Sequence, residues 1–198
     1  MKLVVLISNT GAGTNLQAII DTGENIVAVI CDRHDALGLE RAKKHGIPIK
    51  ICKNKEELLP ILKKINPDRV CLAGWKQMIA DEVITNYKLQ IINLHPGLVP
   101  DTMDGVVLCP DGTPALWNKG MLTDKAIKNF LDKKATYAGS SLHYLTLDFD
   151  FGPVLGRVFE KIQVNDTVEL LYARLKVKEN QLWGKIFSSL ETAGGKTR

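Results

Sequence analysis

Apolar runs and helical periods alternate along the first half of the chain. Residues 2–8 form a continuous aliphatic and β-branched run that ends in a polar, glycine-containing turn over residues 9–15. A short apolar run bounded by turn residues is the pattern of a strand buried on both faces. Leu16, Ile19 and Ile20 open a helix, and a second strand over residues 25–31 closes a βαβ unit. The alternation continues with a helix over 35–45 ended by Gly46, a strand over 49–52 and a helix over 55–65. It then gives a strand over 69–73, a helix over 77–86 and a strand over 90–94. Pro60, inside the third helix, is expected to kink or shorten it. This rhythm predicts an α/β fold with a Rossmann-like, mostly parallel sheet, flanked by helices and joined by right-handed crossovers.

After Pro96 the pattern breaks. Residues 97–122 hold three prolines and four glycines and show little periodicity, which marks a long loop insertion. A helix over 124–132 follows, with Thr123 as its expected cap. Strands over 140–146 and 154–162 lie too close together for a crossover helix, so they predict an antiparallel C-terminal extension of the sheet. Asp166 and Thr167 precede a long helix to about residue 192, and residues 194–198 read as a frayed tail. No internal repeat breaks the chain, and residues 1–198 are expected to form a single domain.

Composition adds few constraints. With 45% hydrophobic and 24% charged residues, the chain has enough apolar material for one core. No apolar stretch is long enough to span a bilayer, and the first residues read as a strand rather than a signal peptide. The four cysteines are scattered without a CxxC pair. That favours a reducing, cytoplasmic setting and no metal centre. The formal charge of +4 is mild and dispersed. It suits a small anionic substrate, with no nucleic-acid or membrane partner expected.

Candidate chemistry gathers at four places. In the fifth strand, Asn93 and His95 fall on one face just before Pro96 stops the ladder, at the carboxyl end where open α/β sheets place ligands. Asn93 can donate to a developing oxyanion, and His95 suits general acid–base work; a turn asparagine and a satisfied histidine are the plainer alternative. The turn containing Gly11, Gly13, Thr14 and Asn15 offers backbone N–H groups at a helix start, a cradle for a single phosphate. Read as a dinucleotide fingerprint the turn is imperfect, because Leu16 stands at the third glycine position, although Asp32 could serve a ribose. Asp150 lies between two phenylalanines and either orients His95 or simply belongs to a turn before Gly152-Pro153. Glu179 falls on the apolar stripe of the last helix, where a charge must be paired, reach a ligand or extend to water. His143 reads as a packed core histidine.

Together these residues resemble the formyltransferase family that uses 10-formyltetrahydrofolate. The matching segments are 3–17, 37–44, 67–79, 92–100 and 139–154, with 174–179 in the last helix. The Asn-Leu-His-Pro and Asp-Phe-Gly-Pro pair is the specific part. The resemblance implies that Asn93, His95 and Asp150 are catalytic, and that Gly13, Thr14 and Asn15 hold a substrate phosphate. It also implies that Lys76, Gln77, Met78 and Ile79, with Asn93, face the folate, that Lys55 faces its glutamate tail, and that Glu179 binds the acceptor. The implied reaction moves a formyl group from 10-formyltetrahydrofolate to the amine of 5'-phosphoribosylglycinamide, in purine synthesis, without a metal. Amino sugar nucleotides, or water in a hydrolase, are alternative acceptors, and a nucleotide-binding oxidoreductase using the glycine turn is a reading from another class. The expected partners are small molecules, and the expected assembly is a monomer or homodimer. Residues 101–136 exceed the family's usual link, so this stretch is where the chain departs most.

Overall fold

A computed structural model describes residues 1–8 and 13–194, with side chains described through residue 190. Two compact units divide the chain, Met1–Asn93 and Leu94–Arg198.

In the first unit, the buried aliphatic runs form β1 (Lys2–Ile7), β2 (Asn25–Cys31), β3 (Ile49–Ile51) and β4 (Arg69–Leu72), and β5 (Ile91–His95) begins there. They pair in parallel in the order β3-β2-β1-β4-β5. The helices between them are α1 (Thr14–Asp21), α2 (Leu39–Lys44), α3 (Lys55–Ile65) and α4 (Asp81–Asn86). The β1 residues Leu3, Val4, Val5 and Leu6 are fully buried, as are Leu16, Ile19 and Leu62 from the helices. That burial on both sheet faces is why these strands read as uninterrupted apolar runs.

The second unit holds α5 (Thr123–Asp132), β6 (Tyr137–Tyr144), β7 (Val154–Lys161) and α6 (Val168–Gly194). β6 and β7 are antiparallel, with Ser140 opposite Val158 and Leu142 opposite Gly156. Ile127 and Phe130 of α5, Ala138 of β6, and Leu171 and Leu175 of α6 form one buried cluster. The seven strands thus show the expected class, mostly parallel with an antiparallel C-terminal pair.

Several boundaries differ from the sequence reading. α4 starts at Asp81, not at residue 77: Ala80 is extended at its N-cap, and Asp81 and Glu82 fill the first turn, where they complement the helix dipole. α2 likewise starts at Leu39 rather than residue 35. α3 runs through Pro60 without ending there. Pro60 cannot donate to the Glu56 carbonyl, and both residues are exposed, where solvent can reach that carbonyl. Thr123 is the first residue of α5 and not its cap; Leu122 holds that position with no side-chain bond. Thr167 does cap α6, its Oγ1 accepting from the Leu170 N–H at 3.3 Å.

Candidate active site

β5 ends in Asn-Leu-His, and Pro96 turns the chain at once: the Gly97 N–H donates to the His95 carbonyl at 2.9 Å. Asn93, half-buried, and His95 stand two residues apart on one strand face. His95 is only 2% exposed. Its Nδ1 lies 3.6 Å from Asp150 Oδ1, and its Nε2 lies 2.8 Å from the main-chain oxygen of Trp117. A carbonyl can only accept, so Nε2 carries the hydrogen in that contact. The Asp150 carboxylate faces the other ring nitrogen.

Asp150 sits in the turn between β6 and β7 in a left-handed backbone conformation, φ 49°. Such a φ is uncommon for residues other than glycine, and Asp is among those that tolerate it. Its Oδ2 accepts the Gly120 N–H at 2.7 Å, and its main-chain oxygen accepts the indole Nε1–H of Trp117 at 3.0 Å. Burial raises its carboxyl pKa, but the His95 hydrogen bond and charge and the Gly120 N–H outweigh it and hold the group below its usual range. Asp150 is therefore ionised at neutral pH. Asp148, the neighbouring carboxylate, is exposed and belongs to the turn.

His143 is fully buried, with its Nδ1–H donated to the Tyr144 carbonyl at 3.0 Å. Burial, helped by the nearby His95, pushes its pKa down to about 4, so it is the neutral histidine of the pair. The two rings meet edge-on, with centroids 6.2 Å apart. His143 is thus the packed histidine that the strand pattern predicts, and it also forms a wall of the His95 pocket.

Trp117 and Gly120 were invisible to sequence reasoning. Both lie in the aperiodic 97–122 segment, and both act largely through main-chain atoms, which leave no residue-type signal. The one available signal was a tryptophan within a polar, glycine-rich stretch, since burying an indole needs a structural reason.

The other predicted site residues fall into separate groups. In the first unit, Gly11 lies outside the described residues. Gly13 is left-handed at φ 69° and caps α1, and a Cβ there would come within 2.8 Å of the Gly38 Cα, so only glycine fits. Thr14 is half-buried, and Asn15 is buried with no hydrogen-bond partner at its Oδ1. Arg41, from α2, packs beside Gly13 and donates to Gln17 at 3.1 Å. It supplies a positive charge next to the turn that sequence reasoning passed over. After β4, the Lys76 N–H donates to Ser8 Oγ at 3.0 Å, Gln77 reaches the Lys53 carbonyl, Met78 is exposed and Ile79 is buried. This stretch is irregular chain ahead of α4. Lys55 is exposed at the first position of α3.

In the second unit, Glu179 is 2% exposed and accepts from Ser140 Oγ at 2.7 Å, while its Oε2 has no hydrogen-bond partner. It does not extend to water. Burial raises its pKa, against the smaller opposing pull of Ser140 and Lys176. Its neighbour Lys178 instead pairs with Glu160 at 2.8 Å. Among the described residues, no group of three or more His, Cys, Asp or Glu side chains is placed to hold a metal ion.

The chain is 28% identical to phosphoribosylglycinamide formyltransferase of Escherichia coli, covering 95% of this chain and 86% of that protein. It is 26% identical to the chloroplastic phosphoribosylglycinamide formyltransferase of Arabidopsis thaliana, of which it spans 65%, and it spans 17% of the bovine trifunctional purine biosynthetic protein adenosine-3. Among solved structures, phosphoribosylglycinamide formyltransferase from Bacillus halodurans superposes with a TM-score of 0.80 at 25% identity, covering 96% of this chain and 95% of that one. The family profile described as formyl transferase matches residues 1–186, nearly the whole chain, and the chain therefore belongs to the formyl transferase family.

Proposed function

We propose that this chain transfers the formyl group of 10-formyltetrahydrofolate to the amine of 5'-phosphoribosylglycinamide. The observation that carries the reading is the His95–Asp150 pair at the carboxyl end of β5, 3.6 Å apart and both withdrawn from solvent. The naming of relatives that cover most of this chain supports the choice of donor and acceptor. The acceptor's neutral amine attacks the formyl carbon, the carbon–N10 bond breaks, and a proton moves from the attacking nitrogen to N10. Asn93 donates to the oxyanion that forms between the two steps. Trp117 holds the Nε2 hydrogen of His95, so the hydrogen that His95 offers to the oxyanion, or exchanges with Asp150, is the one on Nδ1. Asp150, ionised and more exposed than His95 at 16%, is the base that the amine meets first. Gly13, Thr14 and Asn15, beside Arg41, receive the acceptor's phosphate, and the stretch from Lys76 to Ile79, with Lys55, receives the folate.

Positioning two substrates is a large share of the catalytic task, beside oxyanion stabilisation and one proton transfer, and a placed acid–base group contributes roughly 10²–10⁴ in rate. His95→Ala and Asp150→Asn are therefore expected to lower turnover by about two orders of magnitude or more while circular dichroism stays unchanged. The assay follows folate absorbance with phosphoribosylglycinamide, an amino sugar nucleotide or water as acceptor. Equal rates in wild type and both variants, or a preference for another acceptor, would overturn the assignment.

A further inference from the structure

Leu116 and Asn118, on either side of Trp117, bind residues 116–120 into the fold. Leu116 accepts the Leu98 N–H at 3.0 Å. Asn118, only 6% exposed, donates to the carbonyls of Pro96 at 3.1 Å and Ala126 at 3.3 Å, and accepts from Asn129 at 2.8 Å. Trp117 touches both members of the pair, its carbonyl on His95 and its indole N–H on the Asp150 main chain. Gly120 holds the other Asp150 oxygen. A segment anchored this densely is a fixed part of the site and not a cover resting on it.

Gly97 makes the arrangement possible. A Cβ at position 97 would lie 1.8 Å from the Trp117 oxygen and 2.6 Å from its carbonyl carbon, both main-chain atoms, and 3.0 Å from His95 Nε2. The carbonyl that holds His95 thus fills the space that a side chain at 97 would take.

We infer that Trp117, admitted by Gly97 and aided by Gly120, is the positioning residue of the acid–base pair: its carbonyl fixes the His95 ring and keeps a hydrogen on Nε2, and its indole sets the Asp150 main chain. The inference rests on the roles given to His95 and Asp150 above. It assigns a specific task to the 97–122 segment, which orients the reacting side chains through two main-chain groups and one indole N–H.

Two variants test it. Gly97→Ala displaces the Trp117 carbonyl, and Trp117→Phe keeps the carbonyl and an aromatic ring, though a smaller one, but removes the indole N–H. In wild type, the His95 Nε2 proton should give a slowly exchanging imidazole resonance that is absent in His95→Ala. Gly97→Ala is expected to lose that resonance, to lower kcat by about tenfold or more with KM for both substrates within about threefold, and to move the alkaline limb of the pH–rate profile to lower pH. Trp117→Phe is expected to keep the resonance and lower kcat by several-fold. Unchanged kcat in both variants overturns the inference, as does a lower kcat in Gly97→Ala with resonance and profile intact. Should Gly97→Ala fail to fold, wild-type kcat in Trp117→Phe overturns it. If wild type transfers no formyl group to phosphoribosylglycinamide, the functional reading fails by itself, and the resonance in Gly97→Ala still decides the positioning role.

Discussion

His143 is kept neutral by burial, and that neutrality has a measurable cost. Its pKa falls from 6.5 to about 4 on folding, so between these values the unfolded chain binds a proton that the folded chain refuses. Stability is full above pH 6.5, declines as the pH falls towards 4, and levels off below; a shift of this size is worth about 3 kcal/mol. Chemical denaturation at a series of pH values should show this slope in wild type and a much flatter one in His143→Gln. Asp150 acts in a different window. Its pKa is lowered, so its contribution is present above the ordinary carboxyl range and is lost only as the pH drops through its depressed value. The two titrations therefore separate, and acid loss of stability that begins near neutral pH belongs to the buried histidine.

α6 carries Glu179 on its buried face, and its energetics run in the opposite direction. The folded chain favours the protonated carboxyl, so stability falls as the pH rises above the ordinary glutamate value of 4.5. Glu179→Gln, which keeps an acceptor for Ser140, is expected to raise the melting temperature at pH 7 and to lose that advantage near pH 4. A rise in KM for phosphoribosylglycinamide in the same variant would establish the substrate contact; an unchanged KM would leave Glu179 a tie between β6 and α6. Elements like α6 and β5 were legible in the sequence because apolar period and stop signals agreed, as at Ile91, Ile92 and Pro96. Short helices were placed less well. α4 lacks enough turns for its period to outweigh Met78 and Ile79, apolar residues that belong to irregular chain ahead of it. The catalytic candidates were legible as side chains, whereas the Trp117 carbonyl and Gly120 N–H that hold them were not, because every residue owns those groups.

At the scale of the whole molecule, β5 carries Asn93 and His95, whereas Asp150, Gly13 and the stretch from Lys76 to Ile79 lie in turns and irregular chain. The expected rhythm of strands and helices accounts for the first unit, and the stretch after Pro96, where that rhythm breaks, holds the main-chain groups that contact His95 and Asp150. No helix among the described residues is long and apolar enough to cross a membrane, and the net charge of +4 is small. Under the proposed function, a small net charge leaves capture of an anionic acceptor to local cations such as Arg41, so Arg41→Ala should raise KM for the phosphorylated acceptor by several-fold and leave the folate KM unchanged. Steady-state titration of each substrate distinguishes this from a general loss of affinity.

The four free cysteines are all buried, and burial pushes each thiol's pKa upward, that of Cys52 to about 11. They are consequently native clocks of opening. Cys109 sits in the segment that contacts the acid–base pair, paired around the Leu108–Pro114 bridge, whereas Cys71 lies in the middle of the parallel strands. A thiol reagent in excess should label Cys71 only at the rate of global unfolding. Labelling of Cys109 reads how often the segment lets go of its neighbours while the rest of the chain stays folded.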